Sequence, residues 1–132
     1  SARTPRQPRG AEYRDAIVES AARAFDRVGY VGASLKEIAA NAGTDLRALK
    51  SVFPHKDDLA RAVIDEQDRR MVAAVDHALL RHGPLEALIH SSRTIADQMA
   101  SEPLMRAGSR LSMELGALDP AVAEHYRAWV DS

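Results

Sequence analysis

The chain has 132 residues, no cysteine, and 18 Lys/Arg against 19 Asp/Glu, for a formal net charge of −1. That length holds one domain, or one small domain with a partial second, around a workable core. Without cysteine a disulfide framework and a thiolate metal site are excluded, and no apolar run approaches the roughly 18 to 20 residues of a membrane-spanning helix.

Residues 1–12 read as a flexible basic arm, because Arg3, Arg6 and Arg9, with Arg14 just beyond, are interleaved with Thr4, Pro5, Pro8 and Gly10. Such an arm either follows phosphates into a minor groove or is a solvated tail. It lacks the apolar segment of a signal peptide, so a soluble cytoplasmic protein, nucleoid-associated if it meets DNA, is expected. Charge is uneven along the chain. Residues 1–64 carry eleven Lys/Arg against eight Asp/Glu and the remainder seven against eleven, which makes the amino-terminal half the basic one.

Tyr13, Ile17, Ala21, Ala24, Phe25 and Val28 recur at helical spacing and predict a first helix ending at Val28-Gly29-Tyr30. Ser34 stands at an N-cap position with Glu37 three residues on, the pattern of a capping box, so a second helix is predicted from about residue 35. Leu35, Ile38, Ala39 and Ala42 give it one apolar stripe, and Gly43 permits the left-handed backbone that ends it. Thr44-Asp45 caps a third helix with Leu46, Leu49 and Phe53 on its buried face. Asp45, Arg47, Ala48, Lys50 and Ser51 then point outward. Two short helices around Ala42-Gly43, crossed by a third, make a helix-turn-helix whose outward face is the candidate reading surface.

After Pro54, a long amphipathic pattern through Leu59, Ala62, Val63, Met71, Val75 and Leu79 ends at His82-Gly83-Pro84 and predicts a connecting helix. Helices follow from Leu85 to about Ala100 and from Leu104 to about Leu115, the latter loosened by Gly108 and Gly116. A last one begins at Asp119-Pro120. Aromatic and β-branched residues are sparse and no Asn-Gly or Asp-Gly hairpin signal occurs, so the fold class is all-α. Arg106 and Arg110 are expected to pair with Glu102 and Glu114, and Glu86 with His90. The five histidines form no H-E-x-x-H and no Glu-x-x-His pair, and neither a phosphate loop nor a nucleophile elbow is present. An enzyme is not expected, and no metal or cofactor.

The segments I-V-x-x-A-A-x-x-F-x-x-x-G-Y, S-L-x-x-I-A-x-x-A-G and L-x-x-x-F-x-x-K-x-x-L, over residues 13–60, resemble the amino-terminal domain of TetR-family transcriptional regulators. The resemblance implies phosphate contacts from Ser34 and Lys36, recognition-helix positions at Thr44, Leu46, Arg47, Lys50 and Ser51, and a backbone contact from Lys56. The family usually has glycine where Arg47 stands, an aromatic hydroxyl at Lys50, and histidine or tyrosine at Val52. Arg47 therefore either supplies its own guanidinium contact or holds the helix away from the duplex. P-L-E-A-L-I-H from Pro84, P-L-M-R-A-G-S-R-L from Pro103, and Trp129 resemble the γ-butyrolactone autoregulator receptors, which implies that Gln67 and Trp129 line an effector pocket.

The expected architecture is a three-helix bundle with helix-turn-helix at 13–56, followed by a helical effector-binding and dimerisation region at 57–132. That region is expected to be incomplete, since chains of this family usually continue with further helices. The expected function is a DNA-binding repressor that acts as a homodimer on a double-stranded operator and is released by a small signalling molecule. The rival reading is a helical protein-interaction regulator of the same fold that has lost specific DNA reading. Salt dependence separates them.

Overall fold

Six helices account for residues 10–118, the part of the chain that the computed structural model describes: α1 (Gly10–Gly32), α2 (Leu35–Asn41), α3 (Leu46–Val52), α4 (Lys56–Arg81), α5 (Pro84–Ser101) and α6 (Pro103–Leu118). No strand occurs among the described residues, in agreement with the all-α reading. None of these helices is long and apolar enough to cross a membrane. Helix α1 begins at Gly10, so the last three residues of the expected arm are helical. The helix expected from Asp119-Pro120 lies outside the described residues.

The α1 stripe packs as its spacing predicts, with Ile17, Ala21 and Phe25 fully buried and Ala24 nearly so. Val28 departs from it at 43% exposed, because the stripe's last member falls at the helix break, where the described residues cover it only in part. The break is Gly29, at φ +76° and ψ 179°. Val18 and Ala22 are buried as well, giving α1 a second apolar face, and its most extensive partner is α6 rather than α2 or α3. Leu104, Met105, Ala107 and Leu111 of α6 share one core cluster with α1, Ile38 and Ala39 of α2, Leu49 of α3, and Leu59 and Val63 of α4. One core thus crosses residue 56, the boundary drawn from the sequence.

Helix α4 has 26 residues, about 39 Å of rise. Its first half is buried through Leu59, Ala60, Ala62 and Val63, but Met71, Val75 and Leu79 are 36%, 39% and 50% exposed, contrary to expectation. The reason is that α5 meets α4 through small residues. Ala78 is the buried residue in that stretch, and Ala87 and Ser91 are those of α5. Pro84 occupies the first position of α5 after Gly83, where its missing N–H costs no hydrogen bond.

Gly108 does not loosen α6. It lies where the side chain of Gln67, 5% exposed, crosses from α4, and its Nε2 donates to Met105 O at 2.9 Å and to Ser109 Oγ at 2.6 Å. A Cβ at Gly108 would stand 2.7 Å from both Cβ and Cδ of Gln67. The glycine is a seat for a buried amide.

Ion pairs fix the remaining freedom between helices, and several differ from the expected ones. Arg106 binds Asp26 of α1 through two nitrogens, with Nη2 at 3.1 Å, and not Glu102. Glu102 instead joins Glu19 and Glu66 around Arg70, at 3.4, 2.6 and 3.3 Å. Burial works against the Arg70 charge, but the hydrogen bonds and charges of these carboxylates outweigh it and hold its pKa above the ordinary value. Arg110 does pair with Glu114, at 2.7 Å. Glu86 lies 3.6 Å from His82 rather than against His90, and the two imidazoles stack with centroids 3.9 Å apart.

Two alanine substitutions separate two uses of glycine. Gly108→Ala should destabilise by about 1 to 3 kcal/mol through overpacking, which exceeds the roughly 1 kcal/mol that alanine gains over glycine in a helix. Thermal unfolding reads the sign, and an unchanged or raised Tm would show that Gln67 has room to move. Gly43, at φ +80°, has nothing within 4 Å of an added Cβ, so Gly43→Ala should cost only the left-handed strain, about 1 to 2 kcal/mol.

Candidate nucleic-acid interface

The corner between α2 and α3 is built from local hydrogen bonds. Ser34 Oγ accepts the Glu37 N–H at 3.3 Å at the head of α2; the return bond of a full capping box is not made. At the far end, the N–H of Gly43 reaches Ala40 O at 3.1 Å and that of Thr44 reaches Ala39 O at 2.9 Å, a closure that needs the positive φ of Gly43. Asp45 is then the N-cap of α3, its Oδ1 accepting Ala48 N–H at 2.8 Å.

Helix α3 is anchored on one side and open on the other. Leu49 is fully buried, Phe53 is 4% exposed, and Leu46 and Val52 are half-buried. Arg47, Lys50 and Ser51 are exposed, as the spacing predicts. Ser51 Oγ donates to Ala48 O at 2.6 Å, so its hydroxyl proton is engaged and its lone pairs remain as acceptors. Thr44 is half-buried and shares its hydroxyl hydrogen bond with Tyr13 of α1, which ties the start of α3 to the scaffold. Lys36 is exposed on the first turn of α2. The outward face therefore offers a guanidinium and two ammonium groups on short, capped helices. Such groups suit phosphates and guanine edges.

Lys56 opens α4 just beyond Phe53. Its Nζ lies 4.9 Å from the Tyr30 ring centroid and donates to Val31 O at 3.4 Å, which leaves two ammonium protons for an outside partner. Burial lowers its pKa below the usual lysine value. The neighbouring carboxylates are already engaged: Asp57 accepts the Tyr30 hydroxyl, and Asp58 Oδ2 accepts the His55 N–H at 3.0 Å. Tyr30 was outside the site residues expected from the sequence, where it marked only a helix end.

Arg14 needs reassignment. It belongs to α1, with its guanidinium 5.3 Å from the Phe53 ring centroid, and is part of no flexible arm. Arg3, Arg6 and Arg9 lie outside the described residues, as does Trp129. Gln67 is buried against α6 and lines neither the groove between α1 and α4 nor the one of about 460 Å³ between α4 and α5. Among the described residues no group of three or more His, Asp or Glu side chains is arranged to hold a metal ion.

Residues 17–63 match the family model of bacterial regulatory proteins, tetR family. The A-factor receptor protein of Streptomyces griseus is 30% identical over 130 residues, covering 96% of this chain and 44% of that protein. A crystal structure of a γ-butyrolactone receptor (ArpA-like protein) superposes with a TM-score of 0.75 at 36% identity, over 80% of this chain and 55% of the other. The Streptomyces coelicolor protein CprB, solved with its biological operator sequence, gives 0.68 at 37% identity, over 76% and 51%. The chain thus spans less than half the length of the curated relative it matches. These similar proteins are named as receptors and regulators, not as enzymes. With the capped helix-turn-helix and these matches in agreement, residues 17–63 form a domain of the tetR family of bacterial regulatory proteins, and the chain as a whole is similar to part of the γ-butyrolactone receptors.

Proposed function

We propose that this chain is a DNA-binding transcriptional repressor that is released from a double-stranded operator by a small diffusible molecule of the γ-butyrolactone type. The observation that carries the reading is the outward face of α3. Arg47, Lys50 and Ser51 stand exposed on a helix whose other side, Leu49 and Phe53, is locked into the core. Ser34, Lys36 and Lys56 are the accompanying phosphate contacts, with Thr44 and Leu46 setting the start of the reading helix. A similar protein, CprB, has been solved with its operator, and another is a γ-butyrolactone receptor, which supports both halves of the reading.

The working form is a cytoplasmic homodimer placing two reading helices on half-sites about one helical turn apart. The arm ahead of α1 adds backbone contacts, and residues 57–132 carry effector binding, with Trp129 meeting the effector and Gln67, whose amide here donates to Met105 O and Ser109 Oγ, reaching it only if α6 shifts on α4. Release follows if the effector binds more tightly to a state in which the two reading helices are wrongly spaced, since a ligand shifts an equilibrium only through differential affinity.

Selection from a randomised duplex pool at two salt concentrations tests the reading directly. A palindromic, salt-sensitive consensus is the expected result; a folded protein that enriches no sequence would overturn it. On the selected site, Lys56→Ala should weaken all sequences about equally, whereas Lys50→Ala should change the preferred sequence at a cost of about 1 to 3 kcal/mol. Equal effects from both would remove Lys50 from base readout. Trp129→Ala should leave operator binding intact and abolish release by an added γ-butyrolactone, as read by gel shift; unchanged release would remove Trp129 from the pocket.

A further inference from the structure

Glu114 lies on α6, remote in sequence from the reading helix, yet a continuous set of contacts leads from its carboxylate to Lys56. Its Oε2 accepts the Tyr30 N–H at 2.7 Å and its Oε1 accepts from Arg110 Nε at 2.7 Å. Arg110 Nη1 in turn donates to Asp26 O at 3.1 Å, so the pair rests on the turn of α1 that precedes the Gly29 break. The approach is made at a glycine. Gly29 has φ +76°, and an added Cβ would stand 2.8 Å from both Arg110 Nη2 and Glu114 Oε1. Burial alone would raise the Glu114 pKa, but the Tyr30 amide and Arg110 outweigh it and hold the carboxyl below its ordinary value.

From Tyr30 the path reaches the head of α4. The ring stacks against Phe25 with centroids 6.2 Å apart, and its hydroxyl donates to Asp57. Burial, then the hydrogen bond and charge of Asp57, push the phenol up to about 12, so the ring stays neutral at any working pH. Its face and the Val31 carbonyl are the two groups that hold the Lys56 ammonium. A lysine side chain surrenders much rotamer freedom when it is fixed in a complex, and one held beforehand surrenders less at the moment of binding.

We propose that Glu114 is a positioning residue for the DNA-backbone contact of Lys56: by pinning the Tyr30 amide to α6 it sets the ring and the Val31 carbonyl on which the ammonium rests. The inference rests on the DNA reading given above. It makes a helix of the effector half a determinant of DNA affinity without any contact to DNA.

The test is a double-mutant cycle with the full chain and a mixed-sequence DNA duplex at low salt, each variant checked for helicity and Tm. Glu114→Ala should lower affinity about fivefold. Glu114→Gln, whose amide oxygen still accepts from Tyr30, should lose less than about twofold. In a Lys56→Ala background Glu114→Ala should have no further effect, because the group it positions is gone. The same fold loss in both backgrounds would overturn the proposal and leave Glu114 as a stabilising residue only. If Glu114→Ala does not fold, Glu114→Asp, which keeps the charge and shortens the reach, carries the same comparison. Absence of duplex binding by the unaltered chain is a different outcome: it removes the DNA reading itself, and the positioning role with it.

Discussion

Burial of α6 against α1 is the contact on which the other features depend. Met105, Ala107 and Leu111 are fully buried, with Leu104 at 1%, in the same cluster as Ile17, Ala21, Ala22 and Phe25. Each large apolar side chain removed from water in this way contributes on the order of 1.5 to 3 kcal/mol before chain entropy is set against it. Such burial is non-directional, so it brings the helices together without choosing their register. The register is chosen by groups with fixed geometry: the Gln67 amide seated over Gly108, the two-nitrogen contact of Arg106 with Asp26, and the Glu114 carboxylate on the Tyr30 amide.

Arg70 has the corresponding role between α1, α4 and the end of α5. One guanidinium serves Glu19, Glu66 and Glu102, which no ammonium does with the same planar set of donors. The short helices α2 and α3 therefore sit on a frame that is braced from behind, and their own stability comes mainly from packing and caps, since seven-residue helices are marginal alone.

What the sequence disclosed follows the distance over which each cause acts. Ser34, Gly43 and Asp45 act within a turn of helix, and their roles could be read from type and spacing alone. The exposed set Arg47, Lys50 and Ser51 follows from the spacing of Leu46 and Leu49 in the same seven-residue helix and of Phe53 at its C-cap. Causes that come from far along the chain were hidden. Arg106 has a carboxylate four residues back, which local rules favour, yet it binds Asp26, eighty residues away, because α6 packs on α1. Val18 and Ala22 fall off the predicted stripe because a helix buried on two sides has no single stripe. Met71, Val75 and Leu79 have the right period for a core face, but period does not say whether a partner is present. Tyr30 could have been noticed from a Gly-Tyr pair at a helix end followed by a Lys-Asp pair at a helix start, though only the fold shows that the two pairs meet.

The charged groups of this molecule fall into two populations that respond differently to ionic strength. Partners in the frame are in contact at 2.6 to 3.4 Å and partly shielded from solvent, Arg70 and Glu66 being 27% exposed. That spacing is far inside a Debye length of about 8 to 10 Å, so added salt screens them weakly. Arg47, Lys50 and Lys36 stand open to water, where attraction to any polyanion falls steeply as salt displaces it. Moderate salt should accordingly weaken the hold of any polyanion on the outer face of α3 while leaving the docking of α6 on α1 in place.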